Sequence, residues 1–295
     1  MNLRDLQYVL LVAEHRHFGR AAEAANVSQP TLSAQIKKLE EELGVVLFER
    51  DSRNVALTQA GIAVVAEARN ALVHVDAMRD AARVHNDPLG GELRLGVIAS
   101  LSPFLVPDLL ERLQFDAPRM RMVVHEGLTD ALVASVVNRE LDAAVVATDV
   151  AHEGLVEIAL FDEPFLLAHA KGHPLGQRPM AKLADIGEGK LLLLDEGHCL
   201  RDQALDVCLM DSVDTRVKAT SLTTLLRLVE MNRGVTLLPA LAARMAGEVE
   251  LRPLQDPGAM RKVRLVYRKN YLRDGALDVV GRAARNVAAE MGIGN

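Results

Sequence analysis

The strongest constraint in the sequence is a punctuated helix between residues 26 and 44. Asn26-Val27-Ser28 reads as a turn, Ser28 as an N-cap, and Pro30 falls in the first helical turn, where its missing N–H leaves no bond unmade. Leu32, Ile36, Leu39 and Leu43 then share one face at spacings of four, three and four, until Gly44 stops the helix. A helix starting at Gln29 or Pro30 is predicted. Upstream, Leu3, Leu6, Leu10 and Ala13, with Val9 beside them, predict an amphipathic helix ending near His15–His17. A short second helix runs through Ala21, Ala22 and Ala25, whose small side chains permit close packing, with Phe18 supplying core volume. Three short helices with a tight corner before the third are a helix-turn-helix.

The outer face of the third helix presents Gln29, Thr31, Ser33, Gln35, Lys37 and Lys38. Amides and hydroxyls suit base edges, and the lysines suit phosphates. After Gly44, Leu47-Phe48 and Val55–Leu57 predict two short strands around the polar tip Arg50-Asp51-Ser52-Arg53-Asn54, a wing with two arginines. Charge does not settle the matter. Residues 1–62 hold seven Lys/Arg against eight Asp/Glu, and the whole chain has a net charge of −6. Any three-helix domain has a polar outer face, so the pattern alone also fits a helical unit with no nucleic-acid role.

The run from Phe18 through Ala22-Glu23, Val27-Ser28-Gln29-Pro30-Thr31-Leu32-Ser33, Leu39-Glu40, Leu43-Gly44 and Leu47-Phe48-Glu49-Arg50 to Leu57-Thr58-Gln59-Ala60-Gly61 closely resembles the LysR-type transcriptional regulators. The resemblance implies that residues 1–58 form a winged helix-turn-helix that binds double-stranded promoter DNA. The candidate contacts are Ser28, Gln29, Pro30, Thr31, Ser33, Gln35, Lys37, Lys38, Arg50 and Arg53. It also implies a homo-oligomer, dimeric and in full tetrameric, that works with RNA polymerase.

Thr58 is placed to cap a long helix from Gln59 to about His85, in which Ile62, Val65, Leu72, Val75, Met78 and Ala82 form a broken apolar stripe. A rod of roughly 40 Å is too long to pack wholly on a sixty-residue domain, so residues 59–87 are expected to be a linker and dimerisation helix. Asn86-Asp87-Pro88-Leu89-Gly90-Gly91 breaks it.

Beyond the break, strands are expected near 93–98, 121–125, 142–147, 164–169, 190–194 and 263–267. Helices are expected near 103–115, 130–138, 201–209, 221–232 and 275–291. The expected fold is α/β: an N-terminal winged helix-turn-helix, a long linker helix and a C-terminal bilobed, periplasmic-binding-protein-like regulatory domain over 88–295. Lobe I covers about 91–161 and 268–295, and lobe II about 162–267. Ser100, Thr129 and Thr220-Ser221 sit at strand-to-helix junctions, either capping helices or facing the cleft between lobes.

Cys199 and Cys208 are the two cysteines of the 295 residues, too few for a disulfide scaffold and without the paired spacing of a zinc site. They are either inert packing or redox chemistry. Cys199 falls at the start of a short helix, Leu200–Leu209, where backbone N–H groups, His198 and Arg201 favour a thiolate. An intact helix between them holds the cysteines well over 10 Å apart, beyond the ~7 Å that a disulfide allows, so bridging them requires unwinding.

The stretch Leu193-Leu194-Asp195-Glu196-Gly197-His198-Cys199-Leu200-Arg201-Asp202-Gln203-Ala204, with Cys208, resembles the hydrogen-peroxide-sensing members of the LysR family. So do Phe161-Asp162-Glu163-Pro164, Ala219-Thr220-Ser221-Leu222 and Leu237-Leu238-Pro239-Ala240-Leu241. That resemblance implies that Cys199 is oxidised by peroxide and resolved by Cys208, in a pocket of Ser100, Thr129, His198, Arg201 and Asp202. A glutaredoxin or thioredoxin-type reductant resets the pair. Ser100 stands where such proteins usually carry threonine. The expected product is an activator of the oxidative-stress response with no cofactor and no metal, not an enzyme.

Arg4 and Asp5 break the basic-then-apolar order of a signal peptide, and no run of ~18 apolar residues appears, so a cytoplasmic protein away from membranes is expected. The alternatives are a LysR-type protein reading a small organic effector, a thiol peroxidase and an exported solute-binding protein.

Overall fold

The computed structural model describes residues 1–50, 55–186, 191–208 and 219–294. The chain divides into two compact units, Met1–Ala82 and Arg83–Asn295.

In the first unit α1 (Leu3–His15) starts at Asn2, whose side chain accepts from Arg4 and Asp5 N–H while Asp5 reaches back to Asn2 N–H. α2 (Phe18–Ala24) is capped by His17, whose Nδ1 accepts from Gly19 N at 3.1 Å and Arg20 N at 3.3 Å. α3 (Gln29–Leu43) starts at Ser28 and ends at Gly44, which takes the left-handed φ of 71°. β1 (Phe48–Arg50) and β2 (Val55–Leu57) pair antiparallel. α4 (Gln59–Asn86) begins behind Thr58, whose Oγ1 accepts from Gly61 N and donates to Val46 O.

Val9, Val12, Phe18, Ala21, Leu32, Ile36, Leu39, Leu47 and Phe48 form the core, with the Phe18 and Phe48 rings edge to face. The expected core face is corrected at three places. Leu3 and Leu43 are exposed, and α1 buries Tyr8, Val9 and Val12 ahead of Leu10 and Ala13. α1 carries two overlapping apolar stripes, and contact with α2 and α3 selects one of them. On α4, Val65 is buried but Ile62 and Met78 are exposed. The wing tip, including Arg53, lies outside the described residues.

The second unit is built on β3 (Gly91–Ile98), α5 (Ser102–Asp116), β4 (Met120–Gly127), α6 (Thr129–Val137), β5 (Ala143–Val146), β6 (Leu155–His169), α7 (Cys199–Cys208), α8 (Leu222–Glu230), β7 (Thr236–Pro239), β8 (Glu250–Pro253), β9 (Met260–Arg268) and α9 (Asp274–Glu290). Among the described residues the strands form one path, β4-β3-β5-β9-β6-β7, with β8 also on β6. β3 pairs parallel with β4 and β5, as the crossover helices α5 and α6 require. β9 runs antiparallel to both β5 and β6.

Three expectations about this unit need correction. β6 starts at Leu155, not near 164, because Glu157, Asp162 and Glu163 interrupt the apolar pattern and read as loop. Two of these acids are paired instead: Glu157 with Arg264, and Glu163 with Arg261 directly opposite on β9. β7 and β8 were not anticipated, being four residues each. The strand expected near 190–194 is reduced to isolated bridges, Leu191 to Val235 and Leu194 to Ala219, although Leu191–Leu194 are all buried.

Candidate functional site

In the first unit α3 turns Ser28, Gln29, Pro30, Thr31, Lys37 and Lys38 to solvent, with Ser33 and Gln35 half-buried. Ser28 Oγ accepts from Thr31 N at 3.3 Å and lies 2.7 Å from Thr31 Oγ1, so these two hydroxyls order the N-terminus of the helix. Lys37 pairs with Glu41 at 3.8 Å on an exposed face, a contact worth only about 0.3–0.5 kcal/mol and readily exchanged for a phosphate. Arg50 ends β1.

In the second unit α7 begins at Cys199 and ends at Cys208, and both thiols are free. Nine residues of helix hold their Cα atoms roughly 13 Å apart, about twice the reach of a disulfide. Leu200, Ala204 and Leu205 bury one face of α7. Gln203 Nε2 donates to Ala147 O at 2.5 Å, fastening the helix to the end of β5, while Gln203 Oε1 has no hydrogen-bond partner among the described residues. Each large apolar side chain anchored there is worth about 1.5–3 kcal/mol.

Behind Cys199 stands a buried ionic group. Arg261 and Glu163 side chains are both 0% exposed. Arg261 Nε donates to Glu163 Oε2 at 2.8 Å, Nη2 lies 2.8 Å from the same oxygen, and Nη1 donates to Ser100 Oγ at 2.9 Å. Glu163 Oε1 accepts from Leu241 N at 2.8 Å, so both carboxylate oxygens are satisfied. The group joins the turn before α5, β6, β9 and the turn after β7.

Burial pushes the Cys199 thiol up, the nearby Arg261 charge pulls it down, and the Thr129 hydroxyl and Leu200 N–H also favour the ionised form, while Asp202 opposes them. The balance is upward. The expectation that the helix start, His198 and Arg201 favour a thiolate is therefore corrected: desolvation outweighs the helix start, and the cation acting on the sulfur is Arg261. His198 and Arg201 flank the thiol half-buried, and Asp202 is exposed. Thr129 opens α6, and its buried Oγ1 meets no oxygen or nitrogen partner among the described residues. Ser100 is buried and bound to Arg261, so neither hydroxyl serves as a helix cap. Thr220 and Ser221 are exposed, and Ser221 caps α8 by accepting from Thr224 N. Glu163, Arg261 and Gln203 were not singled out from sequence. Only Glu163 and Gln203 lay in stretches that carried the resemblance.

Burial also raises Cys208. For both thiols the unfolded chain releases its proton first. The thiol contribution to stability is therefore full below the ordinary value of 9.0 and lost as pH rises through the raised values. As pH rises from 9.0 through the raised values, the reduced protein is expected to lose Tm more steeply than the Cys199→Ser/Cys208→Ser variant. Parallel curves from thermal unfolding across alkaline pH would contradict the burial argument.

Residues 3–62 match the bacterial regulatory helix-turn-helix protein, lysR family, and residues 86–289 match the LysR substrate binding domain. The chain belongs to the LysR family. This LysR-type regulator is 44% identical to the DNA-binding transcriptional dual regulator OxyR of Escherichia coli, over 91% of this chain and 90% of that protein. It is 37% identical to the probable hydrogen peroxide-inducible genes activator of Streptomyces viridosporus, over 98% of this chain and 95% of the relative. Among solved structures it resembles full-length Pseudomonas aeruginosa OxyR carrying a cysteine-to-aspartate substitution, with a TM-score of 0.77, 35% identity, and 97% and 95% coverage. A hydrogen-peroxide-bound cysteine-to-serine mutant of Corynebacterium glutamicum OxyR aligns with a TM-score of 0.66, 31% identity, and 98% and 95% coverage. No described helix of the LysR-type chain is long and apolar enough to cross a membrane.

Proposed function

We propose that this LysR-type chain is a hydrogen-peroxide-sensing transcriptional regulator in which Cys199 is the thiol attacked by peroxide and Cys208 the thiol that resolves it. The observation that carries the reading is that the two free thiols terminate one helix, with a buried cation and the Thr129 hydroxyl at the first of them and Ser100 bound to that cation.

In the first step the Cys199 thiolate sulfur attacks one peroxide oxygen and the O–O bond breaks. The departing hydroxide takes a proton to become water, and the sulfur, oxidised by two electrons, is left as a sulfenic acid. In the second step the Cys208 thiolate attacks that sulfur, the S–O bond breaks, and the departing hydroxide takes a proton to become a second water. A dithiol reductant of the glutaredoxin or thioredoxin type restores both thiols by exchange. Because the raised thiol must first ionise, the oxidation rate rises about tenfold per pH unit below its pKa.

The disulfide is incompatible with α7 as a helix, so oxidation selects a second packing of residues 199–208, the two-state element that a switch needs. In this reading residues 1–58 bind promoter DNA through the α3 face and the wing, 59–87 pair with a second copy, and 88–295 sense. Ser100, Thr129, His198, Arg201 and Asp202 make up the peroxide pocket. The assembly recruits RNA polymerase. One oxidation per signal, rather than turnover, sets it apart from an enzyme, and the cytoplasm keeps the pair reduced between signals.

Footprinting on promoter DNA with and without hydrogen peroxide, alongside mass mapping of the cysteines, tests the reading. The expected result is a footprint that changes together with a Cys199–Cys208 disulfide and that fails to change in Cys199→Ser. A peroxide-independent footprint with Cys199 still reduced would overturn it, as would a small organic effector shifting the footprint of Cys199→Ser.

A further inference from the structure

We propose that Glu163 is a positioning residue for the peroxide reaction: it fixes the buried Arg261 guanidinium so that Nη1 meets Ser100, and it screens the positive charge that faces Cys199. The inference rests on the peroxide-sensing reading and adds a residue to it.

The geometry assigns each side of the guanidinium. Nε and Nη2 go to Glu163 Oε2 at 2.8 Å each, which leaves Nη1 for Ser100 Oγ at 2.9 Å and Nη2 also reaching Ser100 O at 3.3 Å. Glu163 is itself pinned by Leu241 N, and its register opposite Arg261 is fixed by the β6–β9 ladder. The guanidinium therefore has one orientation. Since Nη1 donates to Ser100 Oγ, that hydroxyl's own proton remains to be donated elsewhere.

The charged groups around the thiol come from several elements. Arg261 stands on β9 and Asp202 on α7, while His198 and Arg201 flank Cys199 in sequence. Glu163 on β6 sits behind Arg261, and α6 and the turn before α5 present the hydroxyls of Thr129 and Ser100. In this arrangement burial holds the resting thiol protonated, and Glu163 offsets the Arg261 charge that opposes it.

The test is the pH dependence of Cys199 alkylation by iodoacetamide in the full chain, read by mass, with the peroxide rate measured in parallel. Glu163→Gln removes the charge and leaves a single amide oxygen, which accepts from Leu241 N, where the carboxylate also accepted from Arg261. Its alkylation midpoint is expected to fall by about one pH unit, giving about tenfold more thiolate below the midpoint. A midpoint unmoved in the folded variant would overturn the proposal. Should Glu163→Gln fail to fold, Glu163→Asp decides. It keeps the charge but is shorter by a methylene and draws Arg261 away from Ser100. Because the carboxylate still screens Arg261, its midpoint is expected not to fall, while the peroxide rate on the alkaline plateau falls about tenfold or more. An unchanged plateau rate would assign Glu163 a purely structural part. If native Cys199 is not oxidised by peroxide at all, the peroxide-sensing reading fails, an outcome distinct from an unmoved midpoint.

Discussion

Arg261→Met is expected to be among the most damaging single changes in the second unit. It leaves Glu163 0% exposed with its charge unpaired, and removing one partner of such a buried pair typically destabilises by about 3–5 kcal/mol. Ser100 Oγ loses its donor as well. The Cys199 thiol, which Arg261 holds down against burial, rises further, so peroxide oxidation at neutral pH is expected to slow by at least about tenfold. The double variant Arg261→Met/Glu163→Gln separates the two effects. Glutamine still accepts from Leu241 N but carries no charge, so most of the stability returns while the slow oxidation persists. Denaturant unfolding and stopped-flow oxidation of the full chain check this. If the single variant unfolds like the native protein, the pair contributes nothing and the electrostatic account of the site is wrong.

Gly61→Ala is expected to disable DNA binding while leaving cysteine chemistry intact. A Cβ there would lie 2.1 Å from Leu47 O and 3.0 Å from Leu47 C, which are backbone atoms, and 3.1 Å from Leu57 Cδ2. No side-chain rotation relieves the first two contacts. Leu47 O is also the acceptor for Thr58 N, so the start of α4 and the lead-in to β1 must separate. Overpacking usually costs about 1–3 kcal/mol, and a backbone obstruction belongs at the upper end or beyond. Promoter affinity by titration and the Cys199 oxidation rate, measured on the same preparation, report the two units separately. Native affinity would show that α4 shifts freely, contrary to the close approach.

Legibility followed the range of the interactions. The helix-turn-helix was plain in sequence because its determinants are local: Ser28 caps α3, Pro30 sits in its first turn, and Gly44 takes the left-handed conformation that ends it. The alternation of strands and helices in the second unit was readable for the same reason. β6 is half missed because Glu157, Asp162 and Glu163 look like loop residues, and the partners of Glu157 and Glu163 arrive from β9 only roughly a hundred residues later. Leu43 was misplaced because periodicity marks an apolar stripe, whereas burial depends on what packs against it. Thr220-Ser221, alike in sequence to the other hydroxyl junctions, proved exposed, with Ser221 serving as a cap.

The sequence by itself determined the α3 helix and its outward residues, the two cysteines at helical separation, and hence that a disulfide between them demands a change of shape. Only the tertiary structure decided which cation faces Cys199 and whether its thiol rests protonated. Desolvation and the field of Arg261 depend on distances in space, and the residues that set them lie on β9, β6 and the turn before α5.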